Sequence, residues 1–223
     1  MSNGTEEAMV SCDKDLMSEI ASDDVIDRAY AWLCERRKKY SANNDVWHLR
    51  WRWQEIRARL QADLLSGKYR LGAVHRIRGE DGQIELWSAP DALVLKATAI
   101  VLSRHLKRYL SPNCYHLAGN GGSKAAVRAV AAQLDGNGFV FRTDVRSYYA
   151  SIDQDMLFGM LERTIKDSAV LDLLWNYVYR TVYDDGHYVD ILRGIGRGCP
   201  LSSLMGALFL KALDDRLEKT GLF

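Results

Sequence analysis

Breaks rich in glycine cut this chain into short blocks, and the blocks limit what each part can become. They fall at Gly67, at Gly79-Glu80-Asp81-Gly82, across Tyr115 to Ser123 and Asp135 to Gly138, at Asp185-Gly186 and across Gly194 to Gly198. The longer blocks repeat apolar residues at three- and four-residue steps, the helical period, while the short ones alternate, the strand period. From Asp23 the helical step runs through Val25, Ile26, Ala29, Trp32 and Leu33, after the caps Ser22 and Asp23. A second helix is predicted over Asp45 to Leu65. Tyr69 to Ile77 and Gln83 to Trp87 read as two strands joined by an Asp-Gly hairpin turn. Asp91 to Tyr109 predicts an amphipathic helix stopped by Ser111-Pro112, and Ser123 stands where it can cap an alanine-rich helix running to Leu134.

The second half has the same character. Phe139 to Val145 alternates as a strand, with Phe139, Phe141 and Thr143 on one face and Val140, Arg142 and Asp144 on the other. Ser151 to Gln154 supplies caps for a helix through Ile165, and a further helix fits Leu171 to Tyr179. Asp184-Asp185-Gly186 reads as a tight turn before a short strand. Pro200 opens a helix with the apolar stripe Leu204, Leu208, Leu213 and Leu217, which Gly221 ends. These blocks predict an α+β fold, rich in helices and with short antiparallel strands. Residues 1–22 lack steady periodicity and are predicted to be a mobile acidic leader.

With 223 residues and 48% hydrophobic content, the chain can bury a real core. No apolar run approaches the roughly 18 to 20 residues needed to span a bilayer, and the polar, acidic start is unlike a signal peptide. The expectation is a cytoplasmic protein with no membrane partner. Cys12, Cys34, Cys114 and Cys199 have no ligand spacing and read as free thiols. The net charge of +1 hides a segregation: residues 1–27 hold eight acids and one lysine, whereas residues 28–108 hold seventeen Lys/Arg against eight acids. The second region is basic enough to attract a polyanion. Within it, Trp47, Trp51 and Trp53 interleave with Arg50, Arg52, Arg57 and Arg59, a pattern that suits nucleic acid because rings stack on bases and guanidinium groups pair with phosphates. Tryptophans at helical spacing also suit a core.

Two segments carry a resemblance. Phe139 to Asp153, FVFRTDVRSYYASID, and Gly194 to Leu210, GIGRGCPLSSLMGALFL, resemble in order and separation the first two palm motifs of reverse transcriptases, above all the bacterial group II intron and retroelement branch. Upstream, GKYRLGAVHRIRGEDG resembles the early fingers hairpin, and YHLAGNGGSKAAVRAV the glycine-rich turn and helix before the catalytic strand. The resemblance covers roughly Trp47 to the end. It implies right-hand polymerase fingers in residues 23–137 and a partial palm in 138–223, with residues 154–196 packing toward the fingers. The implied activity is RNA-directed DNA polymerase, with RNA template, primer and a deoxynucleoside triphosphate as partners and two Mg²⁺ ions in the complete site.

The resemblance further implies that Asp144 and the carbonyl of Val145 hold metal, and that Tyr149 abuts the sugar of the incoming nucleotide. Arg197, Gly198 and either Arg76 or Arg78 would meet nucleotide, and Arg50, Arg52, Arg57 and Arg59 would meet RNA. Asp153 fits helix capping better than metal binding. Several positions depart from the pattern: Arg197 replaces a common Gln, Cys199 a frequent Ser, and Ile84-Glu85-Leu86-Trp87 stands where an Arg-Pro pair is usual. The Tyr-x-Asp-Asp hairpin that completes the site does not follow the second motif here. Tyr183-Asp184-Asp185 precedes that motif and reads as a turn, and Asp214-Asp215 sits mid-helix on a predicted solvated face. The chain by itself is therefore expected to lack polymerase activity. A non-catalytic RNA-binding relic is the alternative reading.

Overall fold

The computed structural model describes residues 15–79, 82–134 and 140–221. Residues 1–14 with Cys12, the Glu80-Asp81 turn, the Asp135 to Gly138 break and Phe139 lie outside the described residues, as does the side chain of Arg78. The helices are α1 (Leu16–Ile20), α2 (Asp23–Arg36), α3 (Asp45–Trp51), α4 (Trp53–Leu65), α5 (Ala89–His105), α6 (Gly122–Ala131), α7 (Tyr148–Ser151), α8 (Gln154–Thr164), α9 (Ser168–Val178) and α10 (Ser202–Lys219). The strands are β1 (Val74–Gly79), β2 (Gly82–Leu86), β3 (Thr181–Asp184) and β4 (His187–Asp190). The fold is α+β, rich in helices around one four-stranded sheet.

Helix α5 is the centre of the first half. Its start is set by Ser88, whose hydroxyl accepts from the Asp91 N–H at 3.2 Å, with Pro90 in the first turn. The sequence predicts an amphipathic helix here. Instead Leu93, Val94, Leu95, Ala97, Val101 and Leu102 are buried, because α1, α2 and α3 all pack against it. Each buried leucine contributes about 2 kcal/mol of transfer free energy. Polar groups at its N-terminus are matched. Asp91 accepts from the Tyr69 hydroxyl at 2.8 Å, the Ser88 hydroxyl at 2.6 Å and the Gly72 N–H at 3.2 Å, and burial together with this carboxylate pushes the Tyr69 hydroxyl well above its usual pKa.

Four local expectations are corrected. Residues 15–21 do not belong to a mobile leader: Leu16, Met17, Ile20 and Ala21 are buried, and the Met17 N–H donates to Asp167 at 2.8 Å. One helical turn is too short for periodicity to reveal. The single helix over Asp45 to Leu65 breaks at Arg52 (φ −105°, ψ 27°). Trp47 and Trp53, six residues apart, would point about 120° apart on a straight helix, and the break lets both pack against the core. Ser123 does not cap α6, whose N-cap is Gly121 in the left-handed region at φ 84°. In α10, Leu204 and Leu208 are buried while Leu213 and Leu217 are exposed.

The sheet order is β2-β1-β3-β4. Pair β1–β2 is antiparallel as expected; β3–β4 is antiparallel too, where the turn was expected to join a helix to a strand, and it is joined by Asp185 (φ 48°) and Gly186 (φ 89°), the signature of a type I′ turn. The central pair β1–β3 is parallel, with Val74 opposite Val182 and His75 opposite Tyr183. A parallel link joins distant segments, so no local pattern announces it. It ties residues 181–190 to the hairpin at 74–86. The strand expected over Phe139 to Val145 does not form among the described residues. Val140 to Val145 has no regular secondary structure and no strand pairing, and Val140, Phe141 and Val145 are exposed. A strand needs a partner for its N–H and C=O groups, and none of the described segments takes that place. No helix among the described residues is long and apolar enough to cross a membrane.

Candidate functional site

The two segments singled out in the sequence meet. The Gly194 N–H donates to the Ile152 carbonyl at 2.8 Å, and the Ile195 N–H to the Tyr149 carbonyl at 2.8 Å. This contact is close because residue 194 has no side chain. A Cβ there would lie 2.8 Å from Ala150 Cα and from the carbonyl oxygens of Tyr149 and Ala150, and the backbone sits at φ 80°. On its other side the Gly194 carbonyl accepts from Gln154 Nε2 at 2.9 Å and Arg180 Nη1 at 3.0 Å. Arg180 also grips Glu85 with Nε at 2.7 Å and Nη2 at 3.1 Å, and Glu85 Oε2 rests where a Cβ on Gly196 would sit. The Ser202 hydroxyl donates to the Gly196 carbonyl at 2.5 Å, opening α10.

Beside this junction is a cleft of about 320 Å³ lined by Arg76, Glu85, Ala150, Arg180, Arg193 and Arg197. Arg197 and Gly198 are exposed at its edge, and Arg193 is anchored by its Nε to the Ser151 carbonyl at 3.2 Å. Arg76, a candidate for holding phosphates, already lies between Asp184 at 3.1 Å and Glu85 at 3.5 Å, so much of its charge is offset. Arg78 belongs to β1.

Tyr148 and Tyr149 form a ring pair 5.4 Å apart that packs against Gly206 of α10, where a Cβ would come within 3.1 and 3.2 Å of the two rings. The Tyr148 hydroxyl donates to the Gly206 carbonyl at 2.6 Å, and its pKa is raised chiefly by burial. Both rings line a second cavity, about 360 Å³, with Cys114, His116 and Asp214. Asp214 was expected on a solvated face. It is partly buried instead, with its carboxyl raised by that burial and Cys114 Sγ at 3.8 Å. Burial pushes the Cys114 thiol up to about 11 and that of Cys199 to about 12, so neither offers a thiolate near neutral pH. Cys34, Cys114 and Cys199 are free.

Asp144 and Val145 lie in the exposed, unpaired segment and line neither cavity. An aspartate and a carbonyl are the hard oxygen donors Mg²⁺ takes, but among the described residues no three candidate ligands gather at one place. Asp153 caps α8, accepting from the Met156 N–H at 2.8 Å, and Asp184-Asp185 turns between β3 and β4. Nor do the four basic candidates make one uniform surface. Arg57 is held by Asp23 at 2.9 Å and Asp27 at 3.0 Å, and Arg52 pairs with Glu55, whereas the Arg50 guanidinium lies over the Trp47 ring at 4.8 Å and Arg59 is exposed. Trp51 is 83% exposed, which leaves its ring face accessible.

No known family profile matches the sequence. The "Putative COX1/OXI3 intron 1 protein" of Saccharomyces cerevisiae is 19% identical over 166 residues, which is 72% of this chain and 20% of that protein. Two solved structures, described as "Partial Cas6-RT-Cas1--Cas2 complex" and "Cas6-RT-Cas1--Cas2 complex", each superpose on 92% of this chain with a TM-score of 0.57 and 15% identity. The fold is shared with reverse-transcriptase-containing complexes. This chain spans 35% and 22% of those two chains, and about a fifth of the yeast relative.

Sequence reasoning missed Glu85, Gln154, Arg180, Arg193 and Gly206. Only Gly206 left a signal, as a glycine in the middle of a leucine-rich helix. Gly194 tests the junction itself. Gly194→Ala combines a left-handed backbone with overlap against fixed backbone atoms, and is expected to destabilise the chain by about 3 kcal/mol. Chemical denaturation measures it, and a loss under about 1 kcal/mol would mean the junction is loose.

Proposed function

We propose that this chain is the fingers and first part of the palm of an RNA-directed DNA polymerase, which adds deoxynucleotides to a primer on an RNA template. The observation that carries this reading is the meeting of the two resembling segments through the Gly194 and Ile195 amides, next to an arginine-lined cleft. In this reading the cleft takes the triphosphate, with Arg197 and Arg193 nearest its charge and Arg76 lending what Glu85 and Asp184 leave. Gly198 lets the backbone come close to the nucleotide, and the Tyr149 ring, which faces the cavity of Tyr148 and Asp214 while its neighbour Ala150 lines the cleft, bounds the sugar. Asp144 and the Val145 carbonyl give oxygen donors to a metal site whose other acids come from polypeptide outside the described residues. When bound, two Mg²⁺ ions stabilise the attacking and leaving oxygens of the phosphoryl transfer.

The test is Mg²⁺-dependent incorporation of labelled dNTP on an RNA template with a primer, by the polypeptide that carries the remaining acids. RNA binding without incorporation favours the second reading, a non-catalytic RNA binder, for which the exposed Trp51 ring beside the exposed Arg50 and Arg59 speaks. Both readings predict salt-sensitive RNA binding through the Trp51 face. Replacing Arg50, Arg52 and Arg59 together by alanine is expected to reduce the salt slope by about 2 to 3 in log–log terms, one per phosphate contact. Arg57→Ala is expected to change RNA affinity less than any of these, because its charge is offset by two aspartates. Affinity and slope unchanged in the triple variant would remove this face from the binding surface.

A further inference from the structure

We infer that Glu85 and Arg180 are positioning residues that tie the β1–β2 hairpin to the placement of Tyr149, an inference that rests on the polymerase reading above. The side chains are 13% and 4% exposed, so the pair is nearly dry. A buried ion pair repays its desolvation only with excellent geometry and further hydrogen bonds. Arg180 has both. Its planar fork spends two nitrogens on Glu85, and the third reaches the Gly194 carbonyl at 3.0 Å.

The next links run through backbone. The residue whose carbonyl Arg180 holds sends its N–H to Ile152, and the following N–H, of Ile195, goes to the Tyr149 carbonyl. Glu85 at the same time fills the space over Gly196, so the glycine loop is fixed from the β2 side at two points. A path of hydrogen bonds between 2.7 and 3.1 Å therefore runs from β2 through Glu85, Arg180 and Gly194 to the turn carrying Tyr149. Only two side chains stand in it, and each is held at both ends. Glu85 also faces Arg76 in the cleft, so a ligand that draws Arg76 away acts on this path directly. The placement of the β1–β2 hairpin and the seating of the Tyr149 turn are then coupled.

Arg180→Lys tests this, because lysine keeps the charge beside Glu85 but cannot bridge to the Gly194 carbonyl at the same time. Glu85→Gln is the companion variant, keeping shape while weakening the grip. In the 223-residue chain, Arg180→Lys is expected to speed hydrogen exchange at the Gly194 and Ile195 amides about tenfold or more, with the α5 amides unchanged. Glu85→Gln should act in the same direction with a smaller effect. Unaltered protection of both amides in both variants overturns the inference whatever the chain's activity. In the polypeptide that carries the remaining acids, Arg180→Lys is expected to lower the preference for dNTP over rNTP about tenfold, a coupling of ordinary size. A pair that served stability alone would slow both substrates equally, and that result also overturns the inference. If the wild type incorporates nothing, the polymerase reading fails and the exchange result decides the positioning by itself.

Discussion

Asp144→Ala is expected to lower RNA-templated incorporation by at least about a thousandfold, in the polypeptide that carries the remaining metal-binding acids, while leaving RNA affinity and thermal stability unchanged. Loss of a metal ligand removes transition-state stabilisation, so kcat and kcat/KM fall together and substrate binding is spared. The structure separates these effects well. Asp144 is exposed in an unpaired segment, away from the cavities, and its removal opens no hole in the core. Surface substitutions of that kind ordinarily change stability by no more than about 0.5 kcal/mol. A structural role would give a different pattern, in which activity and melting temperature decline in step. Incorporation by Asp144→Ala within a fewfold of wild type would end the assignment of this residue.

Much of the fold was legible because its helices obey the periodic rule and its caps are chemically marked. Asp153 accepts from an amide at the start of α8, and Asp185-Gly186 takes the turn that the pair requires. What escaped was non-local. The parallel pairing of β1 with β3 depends on a partner more than a hundred residues away, and α5 looks amphipathic only until three other helices cover it. Phe139 to Val145 shows the reverse error. Its alternation is real, but alternation states a preference, and without a neighbour Val140 to Val145 remains an exposed, unpaired run.

The site was legible to the same degree. Asp144, Tyr149, Arg197 and Gly198 stand out as candidates because they lie in short motifs; the structure brings the turn of Tyr149 against the loop before Arg197 and leaves Asp144 outside both cavities. Their supports could not be found that way. Glu85 reads as an ordinary alternating strand acid and Arg180 as a charge at a helix end; their pairing across 95 residues becomes visible only in three dimensions. The same holds for Arg57, which reads as part of a basic face and turns out to be paired with Asp23 and Asp27.

Tyr149→Ala is expected to abolish most of the discrimination against ribonucleotides, by about a hundredfold, while still adding deoxynucleotides. The ring is held in place by three independent features: the Tyr149 carbonyl is bound by the Ile195 N–H, the ring packs beside Tyr148, and Gly206 leaves room for both. In the proposed polymerase reading a ring so fixed would exclude a 2′-hydroxyl by bulk, because moving aside would break those contacts. Removing it opens space for one hydroxyl, and steric exclusion at a rigid site is worth a few kcal/mol. Tyr149→Phe keeps the bulk and is expected to keep the discrimination. The measurement is the ratio of kcat/KM for matched dNTP and rNTP on one RNA template, for wild type and both variants, in the polypeptide that carries the remaining acids. A ratio that collapses in Tyr149→Ala and holds in Tyr149→Phe is the predicted result; a ratio the same in all three proteins would contradict the placement of the nucleotide at this turn.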